Sequence, residues 1–297
     1  MKILLTGATG YIGSAVAGAL LTAKHTVVGV ARSDEAADKL RKRGVTPHRA
    51  DLKQPDSLDD AVRSCDGVVS TGTTNDGRLD GAALSRVLEL LKGTGKPIVY
   101  TSGVWVLGDT GGKAVDETAP VNPAALVAWR PALEQIVLNA AATNVRAIVI
   151  RPGIVYGKGG GIAADFIHTA HQSGAARYVG TGENRWPVVA VDDLADLYVS
   201  AVERAPSGSL YHAADRSSVR VKEIAEAASF GAGAAGRTEP WPLDEARKTL
   251  GPYADALVLD QRISSEKVRR ELGWNPRQPS ILDDVRRGSY TSHQAGS

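Results

Sequence analysis

The chain has 297 residues, which suits one large α/β domain with a small appended lobe. Its 35 lysine and arginine residues nearly balance 33 aspartate and glutamate residues, so the net charge of +2 gives no footprint for nucleic acid or an anionic membrane. No apolar stretch reaches the roughly 18 residues that span a bilayer. The single cysteine, Cys65, excludes an internal disulfide and a cysteine-based metal site. We therefore expect a cytoplasmic protein without a metal, whose partner is a small molecule.

The N-terminal segment has the pattern of a strand followed by a phosphate-binding turn. Residues 3–5 form an apolar run, typical of a strand that is buried on both faces of a parallel sheet. Gly7, Gly10 and Gly13 follow, and residues 14–22 have the pattern of a helix. Such a turn exposes backbone N–H groups where the helix dipole favours negative charge. The order predicts a dinucleotide site; the alternative is a glycine-rich turn without a ligand.

The end of the second strand, predicted over residues 25–30, indicates which dinucleotide binds. An acidic residue there binds the ribose 2′-hydroxyl of NAD, whereas an arginine accommodates the 2′-phosphate of NADP. Arg32 and Ser33 occupy this place, and a guanidinium can bind a phosphate through two parallel hydrogen bonds. Asp34 lies beyond the expected position and is predicted to cap the helix over 35–43. We predict NADP in preference to NAD; the alternative for Arg32 is a solvated loop charge.

Predicted strands and helices alternate over the first half of the chain. The strands cover 45–49, 67–70, 97–102 and 145–150, and the helices between them cover 57–63 and 79–92. A longer helical pattern over 124–138 contains Pro131, so this helix either kinks at Arg130 or starts afresh with Pro131 at its first position. The alternation predicts an α/β fold with a doubly wound parallel Rossmann sheet.

The second half predicts a small C-terminal substrate-binding lobe that is interlaced with the sheet. We expect the dinucleotide-binding domain to cover 1–157 and to be completed by later segments, including about 188–213. The lobe then covers about 158–187 and 214–290, and a tail over 291–297 is expected to fray from Tyr290 onward. Residues 229–236 are rich in glycine and alanine and are expected to be mobile.

Five stretches together resemble the extended short-chain dehydrogenase/reductase group, of the NAD-dependent epimerase/dehydratase type. They cover residues 6–13, 50–52, 99–102, 151–157 and 191–195, and residues 180–184 resemble a substrate-lobe segment of that family. The resemblance implies that the glycine turn and residues 51–52 line the cofactor, and that residues 152–155 pass near the nicotinamide. The predicted cofactor-binding residues are Gly7, Thr9, Gly10, Tyr11, Ile12, Gly13, Arg32, Ser33, Asp51, Leu52, Thr71, Gly72, Arg130, Pro152, Gly153 and Val155.

The catalytic residues of that family do not carry over. The family uses a Ser or Thr after the fifth strand and a Tyr-x-x-x-Lys motif on the next helix. Counting back from Glu134, the lysine position holds Arg130 and the tyrosine position holds Leu126; Ser102 stands beside the serine position. Leucine cannot transfer a proton, and arginine keeps its charge but is a poor proton shuttle. The candidate catalytic residues are Ser102, Arg130 and Tyr156, with simple packing as the alternative for Tyr156.

Three functions remain open at this point. The first is an atypical NADP(H)-dependent oxidoreductase that acts on a small carbonyl or imine-type substrate. The second is a non-catalytic NADP-binding sensor, and the third, ranked last, is a sugar-nucleotide epimerase or dehydratase. The long helices after the fourth and fifth strands are where relatives dimerise, which suggests a homodimer. Candidate substrate-binding residues are Trp105, Trp129, Arg185 and Trp186, Arg185 by binding an anion.

Overall fold

A computed structural model of the chain describes residues 1–291. Its strands are β1 (Lys2–Thr6), β2 (Thr26–Ala31), β3 (Thr46–Arg49), β4 (Gly67–Ser70), β5 (Pro97–Thr101), β6 (Ala114–Val115), β7 (Arg146–Pro152), β8 (Ile154–Tyr156), β9 (Ala176–Val179), β10 (Arg185–Ala190), β11 (Ser209–Ala213), β12 (Ser218–Arg220), β13 (Thr238–Trp241) and β14 (Arg262–Ile263). Its α-helices are α1 (Tyr11–Thr22), α2 (Asp34–Lys42), α3 (Asp59–Ser64), α4 (Gly77–Leu91), α5 (Arg130–Asn139), α6 (Ala163–Ser173), α7 (Val191–Arg204), α8 (Val221–Gly231), α9 (Leu243–Leu250), α10 (Pro252–Leu257), α11 (Glu266–Leu272) and α12 (Ile281–Arg287).

Seven strands form one parallel sheet in the order β3-β2-β1-β4-β5-β7-β11. The strands are apolar runs because helices cover both faces. In β1, Ile3 and Leu5 pack into one core with α1 and α7, while Leu4 packs into the opposite core with α3, α4 and α5. The predicted doubly wound sheet is confirmed. The strand order reverses between β1 and β4, and ligands of such sheets bind at the carboxyl edge of this point.

The helix boundaries correct two local expectations. Ser33, not Asp34, caps α2, because the Ser33 side chain accepts a hydrogen bond of 3.1 Å from the Ala36 amide. At Pro131 the helix starts afresh rather than kinking, after a separate 3-10 turn over Ala125–Val127. Its first residue is Arg130, however, so the proline stands at the second position instead of the first. A proline fits there because the first turn has no partner for its missing N–H.

The second lobe has its own apolar core between the sheet β12-β10-β8 and helices α6, α8 and α12. Part of the segment that was assigned to this lobe returns to the large sheet, since Val268, Leu272 and Trp274 pack in the core beside α1 and α7. The segment over 229–236 is packed rather than loose: α8 extends to Gly231, and Ala234 is buried.

The C-terminal end of the described chain is also buried at Tyr290, which corrects the expectation of fraying from this residue. Residues 292–297 of the predicted tail lie outside the described residues. Within residues 1–291, none of the helices combines the length and the apolar character needed to cross a bilayer.

Candidate cofactor and active site

The turn between β1 and α1 leaves its backbone amides free to bind an anion. Gly7 has φ +73°, and a Cβ added to it would lie 2.6 Å from the amide nitrogen of Gly72. A Cβ on Gly13 would lie 2.1 Å from the Gly7 carbonyl oxygen. No side chain caps α1, so the amides of its first turn keep their donors for a ligand. Glycine is therefore required at both positions, and the geometry fits a pyrophosphate.

A cavity of about 490 Å³ opens beside this turn at the carboxyl edge of β1, β2 and β3. We call it the glycine cavity. Its walls include these predicted cofactor residues: Gly7, Thr9, Gly10, Arg32, Ser33, Asp51, Leu52, Thr71 and Gly72. Arg32 is exposed there and has no ion-pair partner among residues 1–291, whereas the Asp34 carboxylate lies outside the cavity wall, 3.7 Å from the Arg49 guanidinium.

A wider cleft of about 740 Å³ continues along the carboxyl edge toward the second lobe. We call it the Arg130 cleft. The remaining predicted cofactor residues apart from Gly13 line it, namely Tyr11, Ile12, Arg130, Pro152, Gly153 and Val155. So do the candidates Ser102, Trp105 and Trp129. The structure therefore brings the sequence-predicted residues into two neighbouring hollows, while Gly13 acts through its close approach to Gly7.

Arg130 and Ser102 form the polar part of the Arg130 cleft. The Arg130 Nη1 atom donates hydrogen bonds to the carbonyl oxygens of Thr101 (3.1 Å) and Ser102 (3.2 Å), at the end of β5. The Thr101 hydroxyl in turn lies 2.5 Å from the Tyr198 hydroxyl of α7. The Ser102 hydroxyl is buried and has no hydrogen-bond partner within the described residues. A fixed positive charge and an uncommitted hydroxyl thus stand side by side at the cleft.

A buried ion pair lies one helical turn beyond Arg130. Glu134 of α5 binds Arg151 of β7 through two contacts of 2.5 and 2.9 Å, and both side chains are almost fully buried. His212 of β11 lies 3.4 Å from Arg151, and burial, followed by that positive charge, lowers the pKa of His212 to about 3. The His212 amide donates to Glu117 (2.8 Å), and burial raises the pKa of the Glu117 carboxyl. This cluster fixes α5, and with it Arg130, against the sheet.

The sequence did not reveal this cluster as a unit, although it held a usable signal. Arg151 directly follows the apolar strand segment 147–150, and Glu134 directly follows the buried Leu133. Charged groups at such positions are buried only when paired.

Three predicted site residues lie away from the Arg130 cleft. Tyr156 is buried, and its hydroxyl donates to the Pro279 carbonyl oxygen at 2.8 Å, so the structure favours the packing role and gives it no access to a substrate. Arg185 donates to the Ser218 carbonyl oxygen rather than facing an anion site. Trp186 is buried and stacks on Phe166, with ring centroids 6.0 Å apart.

Two tyrosines that the sequence did not single out contact the site. Tyr100 of β5 shares a recess of about 220 Å³ with Asp80 and Arg130, and burial raises the pKa of Tyr100 to about 12. Tyr290 accepts a hydrogen bond from the Gly157 amide (2.8 Å) and donates one to the Gly160 carbonyl oxygen (2.6 Å).

The loop that Tyr290 holds lies directly against the glycine turn. The Tyr11 hydroxyl donates to the Gly157 carbonyl oxygen at 2.8 Å, and a Cβ added to Gly160 would lie 2.5 Å from the Tyr11 ring. The C-terminal end of the described chain therefore positions the first residue of α1.

Comparison with known proteins agrees with this geometry. The sequence model of the NAD-dependent epimerase/dehydratase family matches residues 3–214. The chain belongs to this family. The resemblance inferred from the sequence motifs is thereby confirmed, and the chain is an NAD(P)-dependent enzyme of the oxidoreductase or epimerase type.

Individual relatives cover nearly the whole chain. An uncharacterised protein of Schizosaccharomyces pombe is 34% identical over 98% of this chain and 100% of its own length. The 4-hydroxy-2-methyl-3-oxo-4-farnesyl-3,4-dihydroquinoline-1-oxide ketoreductase of Stigmatella aurantiaca is 24% identical over 92% of each chain. The crystal structure of Thermus thermophilus UDP-glucose 4-epimerase in complex with NAD aligns with a TM-score of 0.80 at 20% identity, covering 99% of this chain and 100% of the other.

Proposed function

We propose that the protein is an NADPH-dependent reductase of a small carbonyl or imine compound, and that it works without the tyrosine–lysine pair of its family. The observation that carries this proposal is that Arg130, which donates to the Ser102 carbonyl oxygen, stands beside a Ser102 hydroxyl without a hydrogen-bond partner among residues 1–291, in the Arg130 cleft. Leu126 lines the same cleft where the family's tyrosine would stand, and no tyrosine in the sequence is followed four residues later by a lysine.

The cofactor preference follows from charge. A 2′-phosphate placed near Arg32 meets an unpaired guanidinium, and the carboxylate that would repel it, Asp34, does not line the glycine cavity. A charge-assisted bidentate contact of this kind is among the stronger hydrogen-bonded interactions in proteins. The same guanidinium has no partner on NADH, so NADPH is favoured.

The residues of the cleft have distinct tasks in this proposal. When bound, NADPH supplies a hydride. Ser102 donates a hydrogen bond to the substrate oxygen or nitrogen, and Arg130 stabilises the negative charge that develops there. Because arginine keeps its proton at neutral pH, the proton that completes the product comes from water through the Ser102 hydroxyl.

The walls of the cleft favour an apolar carbonyl compound over a sugar nucleotide. Val104, Trp105, Leu126, Trp129 and Ile154 line it, and Arg130 is the single cationic side chain among the lining residues of the described chain, 1–291. A diphosphate would find no second positive charge within this lining. The likeness to a reductase whose named substrate is a farnesyl-bearing ketone agrees with this choice.

Binding and turnover test the proposal separately. By calorimetry we expect NADPH to bind about tenfold more tightly than NADH, the equivalent of about 1.4 kcal/mol. Arg32→Ala removes this difference, while Arg43→Ala, a matched loss of an exposed charge at the end of α2, leaves it in place. Equal affinities in the unmodified protein, or an unchanged difference in Arg32→Ala, contradict the assignment of Arg32.

A panel of aldehydes, ketones and imines, followed by the loss of NADPH absorbance, tests the reaction. Ser102→Ala is expected to lower kcat about 100-fold with little effect on NADPH affinity, which is the typical cost of removing one donor to a developing charge. If NADPH binds and no compound is reduced, the sensor function replaces the reductase. Conversion of a sugar nucleotide would favour the epimerase instead.

A further inference from the structure

A further cavity, of about 300 Å³, lies in the second lobe beside the Arg130 cleft. Its walls come from α6, β9, β10, β13 and α10, and are formed mainly by Phe166, Tyr178, Trp186, Trp241, Tyr253 and Leu257. We call it the tryptophan pocket. Ile162 and Tyr253 line both the pocket and the cleft, so the two hollows share one wall.

Two contacts hold aromatic walls of the tryptophan pocket in place: a hydrogen bond of Trp186 and a ring contact of Tyr253. The Trp186 indole N–H donates to the Leu257 carbonyl oxygen at 3.2 Å, which uses the one polar atom of that side chain. The Tyr253 ring meets Trp105 edge-on, with centroids 5.9 Å apart and an interplanar angle of 68°. A prearranged apolar surface of this kind binds an apolar group without first having to order its own side chains.

The charged groups near the tryptophan pocket argue against an anionic occupant. Arg177 lies over the Trp241 ring at 5.4 Å and contacts Glu239 at 3.3 Å, so its charge is already compensated. Asp165 also lines the pocket, and its carboxylate would repel a phosphate or carboxylate. The occupant that suits these walls is neutral and apolar.

We propose that the tryptophan pocket binds the apolar tail of the substrate, an alkyl chain or fused ring attached to the carbonyl group that Ser102 and Arg130 hold. This assignment rests on the proposed reductase function, and it adds the substrate class. An apolar cavity of about 150 Å³ is enough to hold benzene, so the pocket has room for about twice that volume. Ile162 and Tyr253 line both hollows, so in this proposal the tail runs along these two side chains from the cleft into the pocket.

Methyl ketones of increasing length, from 2-butanone to 2-dodecanone, test the assignment in two assays. Binding to the protein is measured by calorimetry, and turnover is measured as kcat/KM with NADPH. Each methylene that enters the pocket is expected to raise affinity and kcat/KM about fourfold, until the pocket is full and the series levels off. Affinity that is independent of chain length would overturn the assignment, whatever the turnover.

Substitutions at Leu250, which lines the tryptophan pocket but not the Arg130 cleft, locate the effect. Leu250→Trp fills the pocket, so the series is expected to level off at a shorter chain. Leu250→Ala enlarges it and moves the plateau to longer chains, which keeps the test open if the tryptophan variant does not fold. A plateau that stays in place in the folded variants contradicts the assignment. Chain-length-dependent binding without reduction of any ketone would instead overturn the proposed reaction and leave the pocket assigned.

Discussion

The two hollows of the site differ in what they present to a ligand. The glycine cavity around Gly7, here called the cofactor end, presents mainly backbone, whereas the Arg130 cleft, here called the catalytic end, presents side chains. Around Gly7 the site consists of backbone amides, and glycine is needed at Gly7 and Gly13 because close contacts leave no room for a Cβ. Around Arg130 it consists of a guanidinium, a hydroxyl and apolar walls, supported from below by the buried pair Glu134–Arg151.

The difference bears on our proposal that this sequence keeps the cofactor half of the family's site and changes the catalytic half. A phosphate cradle that is made of backbone depends on a few glycines, and a Cβ added to Gly7 or Gly13 would collide with backbone atoms. A proton-transfer site depends on side-chain chemistry, which a substitution can change while the fold is kept. Our proposal that Leu126 and Arg130 stand at the family's catalytic positions agrees with such a change. The following predictions test that contrast, from the largest expected effect to the smallest.

Breaking the buried Glu134–Arg151 pair beneath the catalytic end is expected to cause the largest loss, a loss of folding stability. Glu134→Ala leaves the Arg151 guanidinium buried without its countercharge, which should lower the free energy of unfolding by about 3–5 kcal/mol. Urea unfolding measures this loss. The control is Glu239→Ala, whose pair with Arg177 is partly exposed and should contribute about 1 kcal/mol or less. Equal losses in the two variants would show that burial of the pair adds nothing.

Adding one methyl group to the cofactor end tests the backbone cradle. In Gly13→Ala the new Cβ would collide with the Gly7 carbonyl oxygen, and relieving this overpacking costs about 1–3 kcal/mol, so NADPH affinity should fall about 10- to 100-fold. Gly18→Ala is the matched control on the same helix, because its Cβ meets nothing within 4 Å. The control should raise the free energy of unfolding by up to about 1 kcal/mol and leave binding unchanged. Calorimetry distinguishes the two variants, and unimpaired binding in Gly13→Ala contradicts the cradle.

The pH dependence of stability reports on the buried histidine beneath the catalytic end. The pKa of His212 is about 3 in the folded chain, against about 6.5 when unfolded, so below about pH 6.5 the unfolded chain alone gains its proton. Stability is therefore lost as the pH falls from about 6 to 4, by about 1.4 kcal/mol per pH unit from this residue. Urea unfolding across this pH range should show that the free energy of unfolding changes less steeply with pH in His212→Asn than in the unmodified protein. The exposed His168→Asn control should keep the original slope, and identical slopes in all three proteins contradict this role.

Removing the hydrogen bonds by which Tyr290 holds the loop against the cofactor end should weaken NADPH binding moderately. Tyr290→Phe removes the hydrogen bonds to Gly157 and Gly160, each worth about 0.5–1.5 kcal/mol, so NADPH affinity should weaken about two- to tenfold. Tyr156→Phe is the control: among residues 1–291 the Tyr156 hydroxyl binds only the Pro279 carbonyl oxygen, so this variant should leave NADPH affinity unchanged. Weaker NADPH binding in Tyr156→Phe would show that Tyr156 belongs to the site after all.

Restoring the family's tyrosine should change least. Leu126 lies in the 3-10 turn before α5 rather than on the helix, so Leu126→Tyr does not place a hydroxyl one helical turn before Arg130. We expect no measurable gain in turnover on the carbonyl panel. A large gain would show that the catalytic end is merely missing one side chain.

Much of the fold and the cofactor end could be read from short sequence patterns. Apolar runs such as Ile3 to Leu5 gave the strands, and the glycine spacing gave the turn, because both signals depend on neighbours within a few residues. Arg32 and Ser33 were predicted for the same reason, since they directly follow β2.

The catalytic end was only partly predictable. Ser102 and Arg130 follow from their distance along the chain to β5 and Glu134, and both line the cleft. The expected roles of Tyr156 and Arg185 fail because their partners, Pro279 and Ser218, lie in distant segments. Trp186, whose indole N–H donates to Leu257, lines the tryptophan pocket instead of the Arg130 cleft. No local pattern records such contacts.

The sequence by itself determined the parallel sheet and the glycine turn, because hydrophobic period and backbone freedom are local properties. It was also the source of our proposal that the family's catalytic pair is replaced. Only the tertiary structure decided that Arg151 joins Glu134 and His212, that Tyr290 holds the loop over Tyr11, and that an apolar pocket adjoins the cleft. These depend on how strands and helices far apart in sequence pack together, and packing is settled by the whole chain at once.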